Sequence, residues 1–142
     1  AVDAASAAAA RWRPVWLTRH DLPALEELHR SVPPMAWTPR ALDYGPCRGI
    51  YADQMLVAAA GVHFSTPQVT EVGHIVTHPD WRRRGMAEAV VRALLADLQG
   101  RTGHIYLMHF ADNEAAEGLY ARLGFAPQGR LFLTRFRLRR HA

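Results

Sequence analysis

Two different spacings of apolar residues divide the chain into helical and extended segments. Leu22, Leu25 and Leu28 recur at helical spacing, which predicts an amphipathic helix over 22–31. The run over 55–64 is almost entirely apolar, which is typical of a strand that is covered on both faces. The pattern therefore indicates a protein that mixes surface helices with a buried sheet.

The same criteria, together with capping and turn residues, predict a mixed α/β fold. The predicted strands cover 15–18, 48–52, 55–64, 69–77, 104–110 and 131–138. The predicted helices cover 22–31, 38–44, 85–99 and 113–123. Residues 1–14 are rich in Ala and have no periodic apolar face. We therefore expect a flexible N-terminal segment or linker at 1–14 and a single domain at 15–142.

Composition narrows the class of protein further. The 142 residues are 49% hydrophobic and 21% charged, which suits a globular domain and excludes a wholly disordered chain. No apolar run approaches the ~18 residues that a membrane span needs, and no secretory signal is recognisable. We therefore expect a cytoplasmic protein without a membrane partner. The single cysteine, Cys47, excludes an internal disulfide.

The charge balance favours anionic partners, because all 17 basic residues are arginine and the formal net charge is +4. Near the C-terminus the arginines alternate with other residues as on the solvent face of an edge strand; they are Arg135, Arg137, Arg139 and Arg140. We favour a solvated face over a nucleic-acid-binding surface, which remains the alternative interpretation of these arginines.

The clearest chemical signal is a strand, a turn and a helix N-terminus at 76–87. The first turn of a helix has amide N–H groups without intrahelical acceptors, and the helix dipole adds positive charge there. The arginines at 82–84 strengthen this field, and Gly85 lets the backbone approach a ligand. The stretch therefore predicts a phosphate site. A plain turn with a solvated basic loop is the alternative interpretation.

A second motif at 113–125 gives the first one a context. Together with the Arg-x-x-Gly-x-Ala pattern at 82–87, it resembles the GNAT superfamily of acyl-CoA-dependent N-acetyltransferases, in its FR47-like branch. The positions of the second motif that match are Asn113, Ala116, Leu119, Tyr120, Gly124 and Phe125. The resemblance covers about residues 15–138.

The resemblance implies a GNAT fold. This is a mixed, mostly antiparallel sheet of about six to seven strands, flanked by about four helices, with a V-shaped splay between two parallel strands. Acetyl-CoA, the implied cosubstrate, would lie in the splay between the strand that ends at Thr77 and the strand at 104–110. A strand N–H near Val76 would polarise its thioester carbonyl. The residues implied to bind it are Val76, Thr77, Arg82, Arg83, Arg84, Gly85, Met86, Ala87, Asn113 and Tyr120.

Two of these positions carry open alternatives. Many family members have Gly where Arg83 stands, so this side chain is either solvated, which we favour, or in contact with the 3′-phosphate of coenzyme A. Asn113 would either contact the pantetheine or fix the neighbouring loop.

Three residues are candidates for the catalysis that the resemblance implies. Glu71 lies eleven residues before Arg82, the spacing of the catalytic glutamate in the histone-acetylating branch, and could act as general base through a water. His74 is the second candidate for the base, although a buried structural histidine is the interpretation that we favour at this position. Simple alternation places the two side chains on opposite faces, but a bulge, common on this strand in the family, would reset the phase. Tyr120 is the expected general acid.

The implied activity is acetyl transfer from acetyl-CoA to an amine, by direct attack in a ternary complex. Cys47 has no evident base beside it, so we expect no acyl-cysteine route, and no metal site is expected. The alternative is a non-catalytic acyl-CoA-binding regulatory module. The acceptor, an amine-bearing small molecule or peptide, is not readable. The segment 30–44 would shape its pocket, and we expect a monomer or homodimer.

Overall fold

The structure, a computed structural model, describes residues 4–32, 37–134 and 136–137. Its strands are β1 (Val15–Trp16), β2 (Arg48–Ala52), β3 (Met55–Ser65), β4 (Val69–Thr77) and β5 (His104–Leu107). Its α-helices are α1 (Ala4–Ala9), α2 (Leu22–Ser31), α3 (Met86–Leu98) and α4 (Glu114–Arg122). Short 3₁₀ turns occupy Arg19–Asp21, Pro39–Asp43 and Pro79–Trp81. The predicted α/β class and the order of its central elements are confirmed.

The strands form one sheet in the order β1-β2-β3-β4-β5. The first three pairings are antiparallel, and β4 and β5 run parallel to each other. The described residues thus contain five strands, fewer than the six to seven that the resemblance implies. Strand β5 ends at Leu107, three residues before the predicted end at Phe110.

The predicted strand over 131–138 is wrong for the residues that the structure describes. Residues 131–134 and 136–137 have no strand assignment, and Leu131, Phe132, Leu133 and Phe136 are 79–95% exposed. A strand needs a neighbour to complete its hydrogen bonds, and an apolar pattern alone does not supply one. Arg135, Arg139 and Arg140, together with Leu138, lie outside the described residues.

Helices cover the sheet on both faces. Helix α3 packs on one face, where Val57, Val62 and Val90 are completely buried in the larger core cluster. Helix α2 packs on the other face through Leu25 and Leu28. Strand β3 contributes to both clusters, which explains why its sequence is apolar at almost every position.

A largely buried ion pair ties α3 to strand β2 of the sheet. The Arg48 guanidinium on β2 donates two hydrogen bonds to the Asp97 carboxylate, at 2.6 and 2.7 Å. The side chains are only 16% and 11% exposed. Such a paired, bidentate contact holds a fixed geometry, so it sets the position of α3 over β2.

Helix α1 lies in the segment for which the sequence predicts a linker. Its end packs into the core at Ala9, which is 5% exposed, and the Trp12 indole N–H donates to the carbonyl of Arg84 at 2.6 Å. The N-terminal segment therefore contacts the loop that begins α3. An alanine-rich stretch shows no periodic pattern, so the sequence does not predict the helix; Trp12 is its one large apolar residue that could hold the segment on the domain, and it does so here.

Candidate active site

Strands β4 and β5 part midway along β4. Parallel pairing runs from Val69↔His104 to Val72↔Leu107 and goes no further. The remaining residues of β4, from Gly73 to Thr77, extend beyond the end of β5. This is the splay that the GNAT resemblance implies. It leaves strand N–H and C=O groups on one edge of β4 available to a ligand with amide groups.

A bulge in β4 decides which side chains share a face. Pairing with β3 passes from Gly61↔Gly73 to Ala59↔Val76, so β4 has one residue more than β3 over this interval. His74 has a φ of 51°, in the left-handed region. The extra residue resets the alternation, and Glu71 and His74 come to lie against the same side chain, His63. The bulge that the resemblance implies for this strand is therefore present, and it brings the two candidate side chains to a common neighbour.

The Glu71 carboxylate is buried and has two protein donors. Its Oε1 accepts from His63 Nδ1 at 2.9 Å, and its Oε2 accepts from the Tyr106 hydroxyl at 2.9 Å. Its side chain is 8% exposed. Burial first, then the hydrogen bond and the charge of Glu71, raise the pKa of Tyr106, so this hydroxyl stays protonated.

His74 lies deeper, in a cluster of rings. Its ring meets those of His63 and Trp37 edge-on, at centroid distances of 4.2 and 5.4 Å, and Trp37 stacks on His29 at 4.1 Å. Burial, followed by the neighbouring His63 and His29, lowers the pKa of His74 to about 3. Burial lowers that of His29 to about 4. Both rings are therefore neutral near pH 7.

Neither His63 nor Tyr106 is predicted as a site residue from the sequence. His63 reaches Glu71 because β3 also shifts register, between Val62↔Val72 and Phe64↔Glu71. Its ring covers Gly73, where an added Cβ would lie 2.4 Å from the ring. The residue pattern along a single strand does not show such a shift in its pairing with a neighbour. The only signal in the sequence is a glycine two residues after Glu71, with no side chain to block the ring.

The loop before α3 has the backbone form of an anion cradle. Arg83 and Gly85 have φ values of 58° and 78°, and Gly85 is the N-cap of the thirteen-residue α3. Left-handed residues in such a loop turn successive N–H groups toward a common point, and the helix dipole adds to the field. Arg82, Arg83 and Arg84 are all exposed. These features fit a diphosphate group.

Two details of the cradle differ from the expectations. The space that a Cβ would fill at Gly85 is occupied by the backbone of α1, with Ala9 N at 2.5 Å, so here the missing side chain accommodates the protein itself. Met86 is buried in the core, so only its backbone faces a ligand. The left-handed φ of Arg83 explains why glycine is the usual residue at this position.

The second motif forms the start and the inner face of α4. The Asn113 side chain accepts from the Ala116 N–H at 3.1 Å and so caps the helix. This is the loop-fixing alternative for Asn113. Tyr120 is 8% exposed, and its ring lies 5.7 Å from that of His109, just beyond β5. Burial raises the pKa of Tyr120 to about 12, so its hydroxyl is protonated near pH 7.

One ion pair, from Arg122 of α4, fixes α4 against α3. The buried Glu88 carboxylate of α3 lies 2.8 Å from Arg92 and 3.5 Å from Arg122 of α4. The N-terminal turn of α3, which carries the cradle, and the helix that carries Tyr120 are therefore joined by one carboxylate. Within the described ranges no helix is long and apolar enough to cross a membrane. Among the same residues no three ligating side chains converge as a metal site would require.

Comparison with known proteins gives the family. The model of the family described as FR47-like protein matches residues 48–132. No match was found among curated protein sequences. A solved GNAT-family structure from Novosphingobium aromaticivorans is 33% identical, with a TM-score of 0.73, over 80% of this chain. This chain spans 51% of the length of that relative.

Two further structures support the same fold. A GNAT-family protein from Xanthomonas campestris is 30% identical, with a TM-score of 0.63, over 82% of this chain and 86% of its own. The ribosomal-protein-S18-alanine N-acetyltransferase from Escherichia coli is 22% identical, with a TM-score of 0.70, over 82% and 79%. The chain therefore belongs to the FR47-like family and has the GNAT fold of these acetyltransferase relatives.

Proposed function

We propose that this protein transfers an acetyl group from acetyl-CoA to an amine, by direct attack in a ternary complex. The observation that carries the proposal is the parting of β4 from β5 beside the cradle at the start of α3. One opening then offers strand amides for pantetheine and a positive loop for diphosphate. Glu71, at the centre of the buried cluster, lies on the same strand β4.

Binding is assigned to the backbone around the splay. The cradle at 82–87 holds the diphosphate, mainly through amides, and its exposed arginines add favourable charge. A strand N–H near Val76 stabilises the negative charge that develops on the thioester carbonyl. Removal of one such donor in other enzymes costs about 3 kcal/mol of transition-state stabilisation. Thr77 Oγ1, which is buried without a partner at the end of β4, is a further polar group there.

Proton transfer requires a base and an acid, because the acceptor amine begins as an ammonium with a pKa near 10. The base belongs to the Glu71 cluster, where one acid–base group contributes about 10²–10⁴-fold in rate. Tyr120 stays protonated until the C–S bond breaks and then gives its proton to the departing sulfur. The second amine proton restores the Tyr120 hydroxyl, so the protons balance.

A covalent intermediate on the protein is not part of this proposal. Cys47 is buried, and burial, followed by the charge of Asp21, raises its pKa to about 12. The thiol therefore remains protonated at neutral pH and is a poor nucleophile. Direct attack by the amine needs no such residue.

The test is thiol release from acetyl-CoA across a panel of small amines, amino acids and peptides. The panel includes a peptide that begins with alanine, because the E. coli relative acts on an alanine of ribosomal protein S18. We expect turnover with at least one acceptor, and loss of 10²-fold or more for Glu71→Gln. Tyr120→Phe should lower kcat while acetyl-CoA still raises the Tm.

Two outcomes would contradict the proposal in different ways. If acetyl-CoA raises the Tm but no acceptor is acetylated, the protein is a regulatory acyl-CoA-binding module. If acetyl-CoA does not bind at all, the cradle has another ligand. An exposed-residue control, Arg101→Gln, should behave as the wild type in both assays.

A further inference from the structure

We propose that His63 takes the proton from the acceptor amine through its Nε2 atom, and that Glu71 and Tyr106 are positioning residues that hold its ring. This inference rests on the proposed acetyl transfer and deepens it. It moves the general base from β4, where the family resemblance places it, to the neighbouring strand β3.

The first step concerns what Glu71 can reach. One carboxylate oxygen accepts from His63 Nδ1 and the other from the Tyr106 hydroxyl, each at 2.9 Å. The side chain is only 8% exposed. A base must lie within hydrogen-bond reach of the proton that it removes, or act through one water. Glu71 meets other side chains at both oxygens, so it is better placed to orient a partner than to meet the amine.

The second step concerns His74, the other candidate. Its residue is 8% exposed, and its Nδ1 atom is buried without a partner. Rings of His63 and Trp37 lie against it. The same environment that lowers its pKa makes its imidazole a weak proton acceptor. His74 therefore supports the His63 ring by packing and leaves the proton transfer to it.

The third step concerns His63 itself, whose side chain is 31% exposed. Because an ionised carboxylate only accepts, the contact with Glu71 places the ring proton on Nδ1 and leaves the lone pair on Nε2. Gly73 lies beneath the ring, and His74 packs against it at a centroid distance of 4.2 Å. The ring is thus oriented on three sides and partly open to the solvent.

The fourth step concerns the groups that surround the His63 ring. Glu71 is the carboxylate in contact with it, whereas Tyr106 of β5 stays a neutral hydroxyl. His74 of β4 and His29 of α2 are neutral near pH 7. Among the described residues that contact the ring, His63 therefore has one negative neighbour, at 2.9 Å, and no positive one. A carboxylate stabilises the imidazolium in the same way in Ser-His-Asp triads.

The proton and bond changes balance as follows. The acceptor ammonium gives one proton to His63 Nε2 and becomes a neutral amine. Its nitrogen forms the C–N bond to the acetyl carbon, and the C–S bond breaks. The second amine proton goes to the sulfur by way of Tyr120, and the third stays on the amide nitrogen. The imidazolium returns its proton to water from the exposed edge of the ring.

The test compares His63→Asn with the wild type. The Asn amide can still donate to Glu71 from the position of Nδ1, but it has no titratable nitrogen. We expect kcat/KM at pH 7 to fall about 10²–10⁴-fold. The loss should shrink as the pH approaches that at which the acceptor amine is itself neutral. The pH profile of kcat/KM should have one inflection fewer than that of the wild type. His104→Asn, which removes an exposed histidine at the start of β5, should leave the profile unchanged.

Several results would overturn the inference. If His63→Asn keeps its pH 7 activity within threefold while Glu71→Gln is inactive, Glu71 is the base and the proposed function stands. ¹⁵N chemical shifts of the wild type that place the ring proton on Nε2 would also contradict it, without any activity measurement. If the wild type neither binds acetyl-CoA nor acetylates any acceptor, the proposed function fails first. Should His63→Asn not fold, His63→Gln takes its place in the same measurements.

Discussion

Two buried histidines, His29 of α2 and His74 of β4, make the stability of this protein sensitive to mild acid. His29 is 3% exposed and His74 is 8% exposed, and both are neutral in the folded state, with pKa values of about 4 and about 3. In the unfolded chain each imidazole has a pKa near 6.5. Below pH 6.5 the unfolded state therefore binds more protons, and the folded state loses stability as the pH falls toward 4.

The magnitude follows from these values. Between pH 7 and pH 5 an imidazole that protonates only on unfolding costs about 2 kcal/mol, so the two together cost about 4 kcal/mol of unfolding free energy. This is a large part of the roughly 5–15 kcal/mol that stabilises an ordinary domain. The depressed pKa of Asp21 acts below its ordinary value of 3.8 and so does not contribute in this window.

The assay is urea unfolding at pH 7, 6 and 5. Near pH 5 we expect a slope of about 2.7 kcal/mol per pH unit from the two histidines. His29→Gln should lower the slope by about 1.4 kcal/mol per pH unit, whereas His20→Gln, at an exposed position, should not. A wild-type unfolding free energy that is constant from pH 7 to pH 5 would refute the reasoning.

Three further outcomes test separate features. Gly73→Ala should displace the His63 ring, which lies 2.4 Å from the new Cβ; because Gly73 is buried, this overpacking should cost about 1–3 kcal/mol of unfolding free energy, while turnover falls tenfold or more. Equal turnover would show that the ring position is unimportant. Asp97→Asn should cost about 2 kcal/mol in urea unfolding, since it breaks a largely buried pair. Glu27→Gln, which breaks the exposed pair with Arg30, should cost under about 1 kcal/mol. Equal costs for Asp97→Asn and Glu27→Gln would contradict the argument that burial makes the difference. Gly85→Ala should lower the Tm and weaken acetyl-CoA binding in calorimetry, because the φ of Gly85 is 78° and the backbone of α1 fills the space of the new Cβ. An unchanged affinity would show that this loop does not bind acetyl-CoA.

The sequence predicts the parts of this fold that depend on local patterns. Helices α2 and α3 carry regular apolar stripes with recognisable ends, and β3 is apolar because both of its faces are covered. The cradle at 82–87 is also local, since it consists of a turn and the first residues of a helix. These features need no information about distant residues.

What the sequence does not predict depends on pairing. The extended segment after α4 has an apolar pattern, but a strand exists only where another strand lies beside it. The His63–Glu71 contact arises from shifts in the β3–β4 register, and no pattern in either strand signals its partner's irregularity. The same holds for α1, whose packing depends on one tryptophan and the backbone beside Gly85.

The extra residue at the His74 bulge reverses the side of the sheet on which the following side chains of β4 lie. Deleting one residue there would restore strict alternation and turn every side chain on one side of the cut to the opposite face of the sheet. After such a deletion, either Glu71 would lose its contacts with His63 and Tyr106, or Val76 would leave the core. In the proposed mechanism, the geometry that joins proton transfer to carbonyl activation thus depends on the length of this short segment, and homologues with a one-residue deletion there would need a different acid–base arrangement.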